Sequence, residues 1–119
     1  MEISELQSKW EIEFKKGFAK PLILLILAEK ENYPYQITKE IFTITQGQLS
    51  IATSNIYPIL KNLKEEGMIS ENKDIKTRRI MYQITKKGLA LSKSITFSLN
   101  SFITVLREVI NLKGVDMKS

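Results

Sequence analysis

With no histidine and no cysteine in 119 residues, the chain lacks the side chains that most often perform covalent or proton-transfer chemistry near neutral pH. Cys/His zinc clusters, thiol nucleophiles and disulfides go with them. No pair of carboxylates is set in an apparent pocket, so neither catalytic residues nor metal ligands nor a cofactor are expected. What remains is the chemistry of recognition. Residues 53–61, "TSNIYPILK", place hydroxyls at Thr53 and Ser54, an amide at Asn55, a phenol at Tyr57, a rigid ring at Pro58 and an ammonium at Lys61. Residues 73–79, "KDIKTRR", gather Lys73, Lys76, Arg78 and Arg79. Amide, hydroxyl and ammonium groups can pair with base edges in a major groove, and clustered cations can hold phosphate.

The first group needs a helix to present it. At about 100° per residue, Ile56, Leu60 and Leu63 fall on one side and Ser54, Pro58, Lys61 and Glu65 on the other, with Asn55 and Tyr57 on the flanks. The pattern predicts a helix opening on Thr53 or Ser54 as N-cap and closing on Gly67 in the left-handed C′ position. Pro58 removes a backbone donor at the outer face of the first turn or just past it, a loss of at most one bond. Outward it offers a rigid apolar surface suited to sugar or a thymine methyl. Ser54, Asn55 and Lys61 are the base-edge candidates, while Thr53 and the first free N–H groups can hold a phosphate. Glu65 is compatible with this only if the helix approaches DNA by its N-terminal end.

The second group needs a hairpin. "MIS" and "RIMYQIT" read as short strands, Ile80, Tyr82 and Ile84 alternating with Met81 and Gln83, and residues 71–78 as a polar, basic tip. Charge runs are usually solvated surface, but cations beside a polar-faced helix fit backbone or minor-groove contacts. The whole charge distribution agrees. Lys plus Arg number 18 against 13 Asp plus Glu, a net charge of +5 and a pI near 9.4. Residues 1–60 hold six cations and seven acids, residues 61–93 nine and four, and residues 94–119 three and two. The middle third therefore carries the excess, which favours a polyanionic partner.

The remaining elements supply a scaffold. Ile3, Leu6, Trp10 and Phe14 form one apolar stripe on a first helix ending near Lys16, with Gly17 as its breaker. Trp10 reads as a core or interface residue rather than a ligand platform. Pro21 suits the N1 position of the next helix, "PLILLILAEK", which is apolar nearly all round and should be the central buried one. Residues 32–34 read as a turn, Ile37 and Ile41 as a short helix, and residues around Gly47 as a connector. Thr85 reads as the N-cap of a long last helix, where Ile95, Leu99, Phe102, Leu106 and Val109 form a heptad-like seam. Such a seam calls for a partner helix, most simply from a second copy of the chain; folding back onto the stripe of the first helix is the alternative. No uninterrupted apolar run exceeds residues 22–28, so no membrane segment is expected, and the N-terminus does not resemble a secretion signal. A cytoplasmic location follows as the default.

The element order, with "LILLILAEKENYPYQITKEI", "IYPILKNLKEEGMI" and "RIMYQITKKG", resembles the PadR-like family of winged helix-turn-helix transcriptional regulators over residues 18–88. The resemblance implies a homodimeric repressor joined through its terminal helices, with Leu6, Trp10, Phe14, Ile95, Leu99, Phe102 and Leu106 in the dimer contact. It also implies Tyr57, Lys61 and Arg79 near DNA. The chain departs from the family pattern at Pro34 and Ser54, where glycine is frequent, and has no tryptophan on the last helix. A small hydrophobic effector of the kind some members bind is therefore left open.

The expected architecture is mainly α with a small β-hairpin. It comprises an N-terminal dimerisation helix (1–17), a winged helix DNA-binding domain (18–88), a C-terminal dimerisation helix (89–112) and a flexible tail (113–119). The expected function is sequence-specific binding of double-stranded DNA as a homodimer at a pseudo-palindromic operator. The rival readings are a winged-helix protein-interaction module and a non-specific architectural DNA-binding protein.

Overall fold

The computed structural model describes residues 1–116, so residues 117–119 of the expected tail lie outside the described residues. The order is α1 (Ile3–Lys16), α2 (Ala19–Glu29), α3 (Pro34–Ile44), α4 (Thr53–Glu65), β1 (Ile69–Lys73), β2 (Ile80–Ile84) and α5 (Lys86–Lys113). The chain is mainly helical with one antiparallel hairpin, as expected.

The core forms where the apolar patterns of α2, α3 and α4 converge. Ile23, Leu24 and Leu27 of α2 meet Ile37 and Ile41 of α3 and Ile56, Leu60 and Leu63 of α4, all essentially sealed from solvent. Met68, Ile69 and Tyr82 close it from the hairpin side. Beyond apolar burial, Lys20 of α2 clamps the end of α4, donating to Asn62 Oδ1 and pairing with Glu66 at 2.7 Å.

Several boundaries differ from expectation. Pro21 is the third residue of α2 rather than the first, still within the turn whose N–H groups have no intrahelical partner. Pro34 belongs to the first turn of α3 and is buried. The N-cap of α4 is Ala52, whose backbone carbonyl accepts from Asn55 N at 2.8 Å without any side-chain cap. At its other end Gly67 has φ +80°, the left-handed conformation anticipated there. β1 runs on through Glu71, Asn72 and Lys73, because backbone pairing with Tyr82, Met81 and Ile80 needs no apolar side chains on a ribbon with a solvated face. The tip is therefore shorter than residues 71–78. Of the three alternating β2 residues, Tyr82 is buried, Ile84 half-buried and Ile80 exposed, since the core ends before it.

Thr85 caps α5 as predicted, its hydroxyl accepting from Gly88 N at 3.0 Å. Gly88 and Ser92 are the buried residues of α5, Gly88 lying against Met68 and Ile84, and the helix also packs on α2. The boundary drawn between residues 88 and 89 thus falls in the first turn of a continuous 28-residue helix, and Lys113, assigned to the tail, is its last residue. By length and composition alone α5 is apolar enough to cross a bilayer, a character that the longest uninterrupted apolar run does not reveal. Interspersed Ser, Thr and Asn residues hide that character from a count of consecutive apolar positions.

The chain is not spherical. Its radius of gyration is 17.0 Å over extents of 60 × 32 × 22 Å, whereas a compact chain of this length would have a radius of about 13–14 Å. The excess comes from α1, none of whose residues is buried, and from α5, which is exposed from residue 100 onward.

Candidate nucleic-acid interface

The outward face of α4 forms as its periodicity predicts. With Ile56, Leu60 and Leu63 inward, Thr53, Ser54, Asn55, Tyr57, Pro58 and Lys61 are all exposed. Because Ala52 starts the helix, neither Thr53 nor Ser54 spends its hydroxyl on a cap. Pro58 is the sixth helical residue, so it deprives only the carbonyl one turn back, at solvent-exposed Ser54, of its partner. Lys61 pairs with Glu65 at 4.0 Å, but both side chains are largely exposed. Such a pair is worth at most about 1 kcal/mol, which leaves the ammonium available to another anion. Glu65 ends the helix, about 18 Å along its axis from Thr53.

The hairpin stands next to α4 and is tied to it. Lys64 of α4 pairs with Glu71 of β1 at 3.1 Å. The Tyr82 phenol is held above its ordinary value, first by burial and then by Glu71 and Tyr57. Lys73 ends β1, Lys76 and Arg78 occupy the tip, and Arg79 immediately precedes β2; all four are exposed. Arg78 adopts φ +61°, uncommon for a residue with a side chain.

A further constellation fixes this tip and was not visible in the sequence. Tyr33, at the α2–α3 turn, donates its hydroxyl to Asp74 Oδ2 at 2.8 Å, and the Arg79 guanidinium lies 4.0 Å above its ring centroid. Asp74 Oδ1 accepts from the backbone N–H groups of Lys76 and Thr77 at 2.9 and 3.4 Å. The hydrogen bond from Tyr33, followed by those two N–H groups, holds the Asp74 carboxyl below its usual value. The same bond is the main cause that raises the Tyr33 phenol. Beside it, Asn32 and Tyr82 exchange backbone hydrogen bonds of 3.0 and 2.9 Å, attaching the turn to β2 as a one-residue third strand. No spacing rule reaches across 41 residues; only the folded topology makes Tyr33 and Asp74 neighbours.

The residues expected in a dimer contact are not brought together within one chain. Leu6, Trp10 and Phe14 line an open groove along α1, reached by Gln48 from the α3–α4 connector, whose Oε1 accepts from Lys15 Nζ at 3.0 Å. Ile95 and Leu99 are half-buried, while Phe102, Leu106 and Val109 remain exposed. α1 does not fold back to cover that seam. Exposed Ile103 and Ile110 widen it beyond the strict heptad positions.

A helix with an exposed polar N-terminal half, carried on a small helical core beside a cationic two-stranded wing, defines a winged helix-turn-helix regulator. The chain matches the Transcriptional regulator PadR-like family over residues 23–93, well over half its length, and it belongs to that family. It is accordingly a DNA-binding transcriptional regulator. Among solved structures, a transcriptional regulator from Clostridium thermocellum is 26% identical, with 87% of this chain and 96% of that chain covered and a TM-score of 0.72. A PadR-like transcriptional regulator from Bacillus cereus is 24% identical, with 87% and 99% covered and a TM-score of 0.73. A transcriptional regulator from Thermoplasma acidophilum, 21% identical with a TM-score of 0.72 over 87% and 99%, shares the fold. No curated protein sequence matches the chain.

Proposed function

We propose that this chain is a homodimeric, cytoplasmic repressor that binds a pseudo-palindromic operator, each protomer inserting the N-terminal half of α4 into the major groove. The observation that carries the reading is the coincidence of two faces on one chain. The exposed Thr53–Lys61 surface of α4 stands beside Lys73, Lys76, Arg78 and Arg79, while α1 and the distal half of α5 expose apolar stripes. Trp10 and Phe14 are 71% and 62% exposed and Phe102 is 55% exposed, more large apolar surface than a monomer ordinarily leaves uncovered. Burial of these stripes between two copies would give a two-fold dimer, and α4 helices about one DNA turn, roughly 34 Å, apart would match successive major grooves. It also accounts for the apolar character of α5 without a membrane.

In this scheme Asn55, Ser54 and Lys61 meet base edges, Pro58 and Tyr57 contact sugar or a thymine methyl, and Thr53 with the free N–H groups of α4 holds a phosphate. Lys73, Lys76, Arg78 and Arg79 follow the adjacent backbone or minor groove. Residues 1–17 and 89–112 serve as dimer elements around the DNA-binding unit of residues 18–88.

The test is a fluorescence-anisotropy titration of the protein against its own upstream duplex and a scrambled duplex over a range of salt. Preference for the upstream duplex that survives rising salt supports a specific regulator, and equal, steeply salt-dependent binding refutes base readout. Asn55→Ala and Lys61→Ala should relax base preference by about 1–3 kcal/mol per lost base contact, whereas Arg79→Ala should weaken every sequence alike and reduce the salt slope by about one. Equal losses from all three on every sequence would contradict these roles.

A further inference from the structure

Tyr33 belongs to the helical body, yet its side chain touches both the residue that builds the wing tip and a cation that the tip presents. Its hydroxyl bonds Asp74 at 2.8 Å and its ring lies 4.0 Å beneath the Arg79 guanidinium. Asp74 is the keystone of the tip. Its carboxylate accepts from Lys76 N and Thr77 N, its carbonyl accepts from Arg78 N at 2.8 Å, and its own N–H donates to Arg79 O at 2.8 Å. Thr77 Oγ1 accepts from Arg79 N at 3.3 Å. The wing is thus fixed at mid-strand by the Asn32–Tyr82 backbone pair and at its tip by one phenol.

Two physical points give this contact a role. A two-stranded ribbon on its own is only marginally stable, so an exposed cationic tip would otherwise sample many positions. Stacking on an aromatic ring, moreover, uses the flat face of a guanidinium and leaves its N–H edge free for bidentate contact with phosphate. Arg79 is therefore held and still able to donate. From this geometry we infer that Tyr33 is a positioning residue for DNA binding, holding Asp74 and Arg79 so that the wing meets the duplex already formed. The inference rests on the proposal that the wing contacts DNA.

Prior ordering of the tip through the Tyr33–Asp74 bond, taken at the scale of one immobilised long side chain, corresponds to about a two- to tenfold gain in affinity. The test is a double-mutant cycle in the full chain, using Tyr33→Phe, Arg79→Ala and their combination, with Asp74→Ala as a second route to the same break. Affinity is measured by anisotropy on the upstream and scrambled duplexes at several salt concentrations, and folding by circular dichroism. Tyr33→Phe keeps the ring and loses only the hydroxyl. It should weaken binding to both duplexes by about two- to tenfold, and Asp74→Ala should do likewise. On the Arg79→Ala background, Tyr33→Phe should have little further effect. If it costs the same factor there, Tyr33 acts independently of Arg79 and the inference fails. If Arg79→Ala weakens binding but neither Tyr33→Phe nor Asp74→Ala does, the inference fails while the wing reading stands. If Arg79→Ala itself leaves affinity and salt slope unchanged, the wing reading fails and this inference with it.

Discussion

Gly88→Ala is the smallest change that tests how α5 is seated. A Cβ at residue 88 would stand 2.0 Å from Met68 O and 2.7 Å from Ile84 Cγ1. Even a 3.0 Å approach would require Met68 O and the α5 backbone to separate by 3.0 − 2.0 = 1.0 Å. That carbonyl cannot yield freely, because it accepts from Thr85 N at 3.0 Å and takes the longer, 3.1 Å branch of a bond that Thr85 Oγ1 shares with Gly67 O at 2.7 Å. Overpacking costs about 1–3 kcal/mol and two weakened hydrogen bonds about 0.5–1.5 kcal/mol each, against a helix-propensity gain of about 1 kcal/mol for alanine. The expected net loss is about 3 kcal/mol, lowering Tm by roughly 10 °C or more. Gly17→Ala is the control. Nothing lies within 4 Å of a Cβ at that position and its φ is −67°, so the same substitution should be neutral or stabilise by up to about 1 kcal/mol. Thermal and urea denaturation followed by circular dichroism, at one fixed protein concentration because dimerisation would shift the midpoint, measures both. Melting of Gly88→Ala within about 2 °C of the parent chain would refute the account, since that corresponds to well under 1 kcal/mol.

Trp10→Ala should weaken self-association by about 30-fold, the effect of truncating an interface hot spot worth about 2 kcal/mol; an unchanged dissociation constant in analytical ultracentrifugation would remove α1 from the interface. Arg78→Gly exchanges a residue held at φ +61° for one that adopts this region freely, so the fold should be unchanged or gain up to about 1 kcal/mol. Its DNA salt slope should fall by about one; a gain in both stability and affinity would show that Arg78 touches no phosphate. The Tyr33–Asp74 contact has a pH window with both signs defined. The Asp74 carboxyl, ordinarily near 3.8, is depressed in the fold, so its contribution is present above that value and is lost as pH falls through the lower folded one. The Tyr33 phenol, ordinarily near 10.0, is raised, so its contribution is complete below 10.0 and is lost as pH rises through the higher folded value. The stability difference between the parent chain and Tyr33→Phe, from urea titrations, should therefore be widest at neutral pH and narrow at both extremes; a difference independent of pH would contradict the assigned bond.

What the sequence discloses depends on the range of the interaction concerned. The face of α4 was legible because Ile56, Leu60 and Leu63 repeat at helical spacing within one segment, and the Thr85 cap and left-handed Gly67 are equally local. The start of α4 at Ala52 was not, because a backbone carbonyl can open a helix with no side-chain signature. The polar half of β1 escaped for a related reason, since Glu71, Asn72 and Lys73 are held by backbone pairing that leaves no apolar alternation. The apolar stripes of α1 and α5 could be read, but not whether one covered the other. Tyr33 and Asp74 are chemically ordinary until the hairpin folds back on the α2–α3 turn.

The candidate interface also depends on a joint outside it. Residues 67–69 end α4 and begin the hairpin, and the α5 cap is built on them: Thr85 Oγ1 donates to Gly67 O at 2.7 Å and Thr85 N to Met68 O at 3.0 Å. Met68 N in turn bonds Leu63 O at 2.9 Å, inside the last turn of α4. The orientation of α5 relative to α4 is therefore set within a few backbone hydrogen bonds, with no flexible linker between them. In a dimer held through α5, the separation of the two recognition helices would follow from that angle, because α5 extends about 42 Å as a continuous rod. Two contributions to operator choice would then be separable, the bases read by α4 and the half-site spacing imposed by the joint at Met68, Thr85 and Gly88.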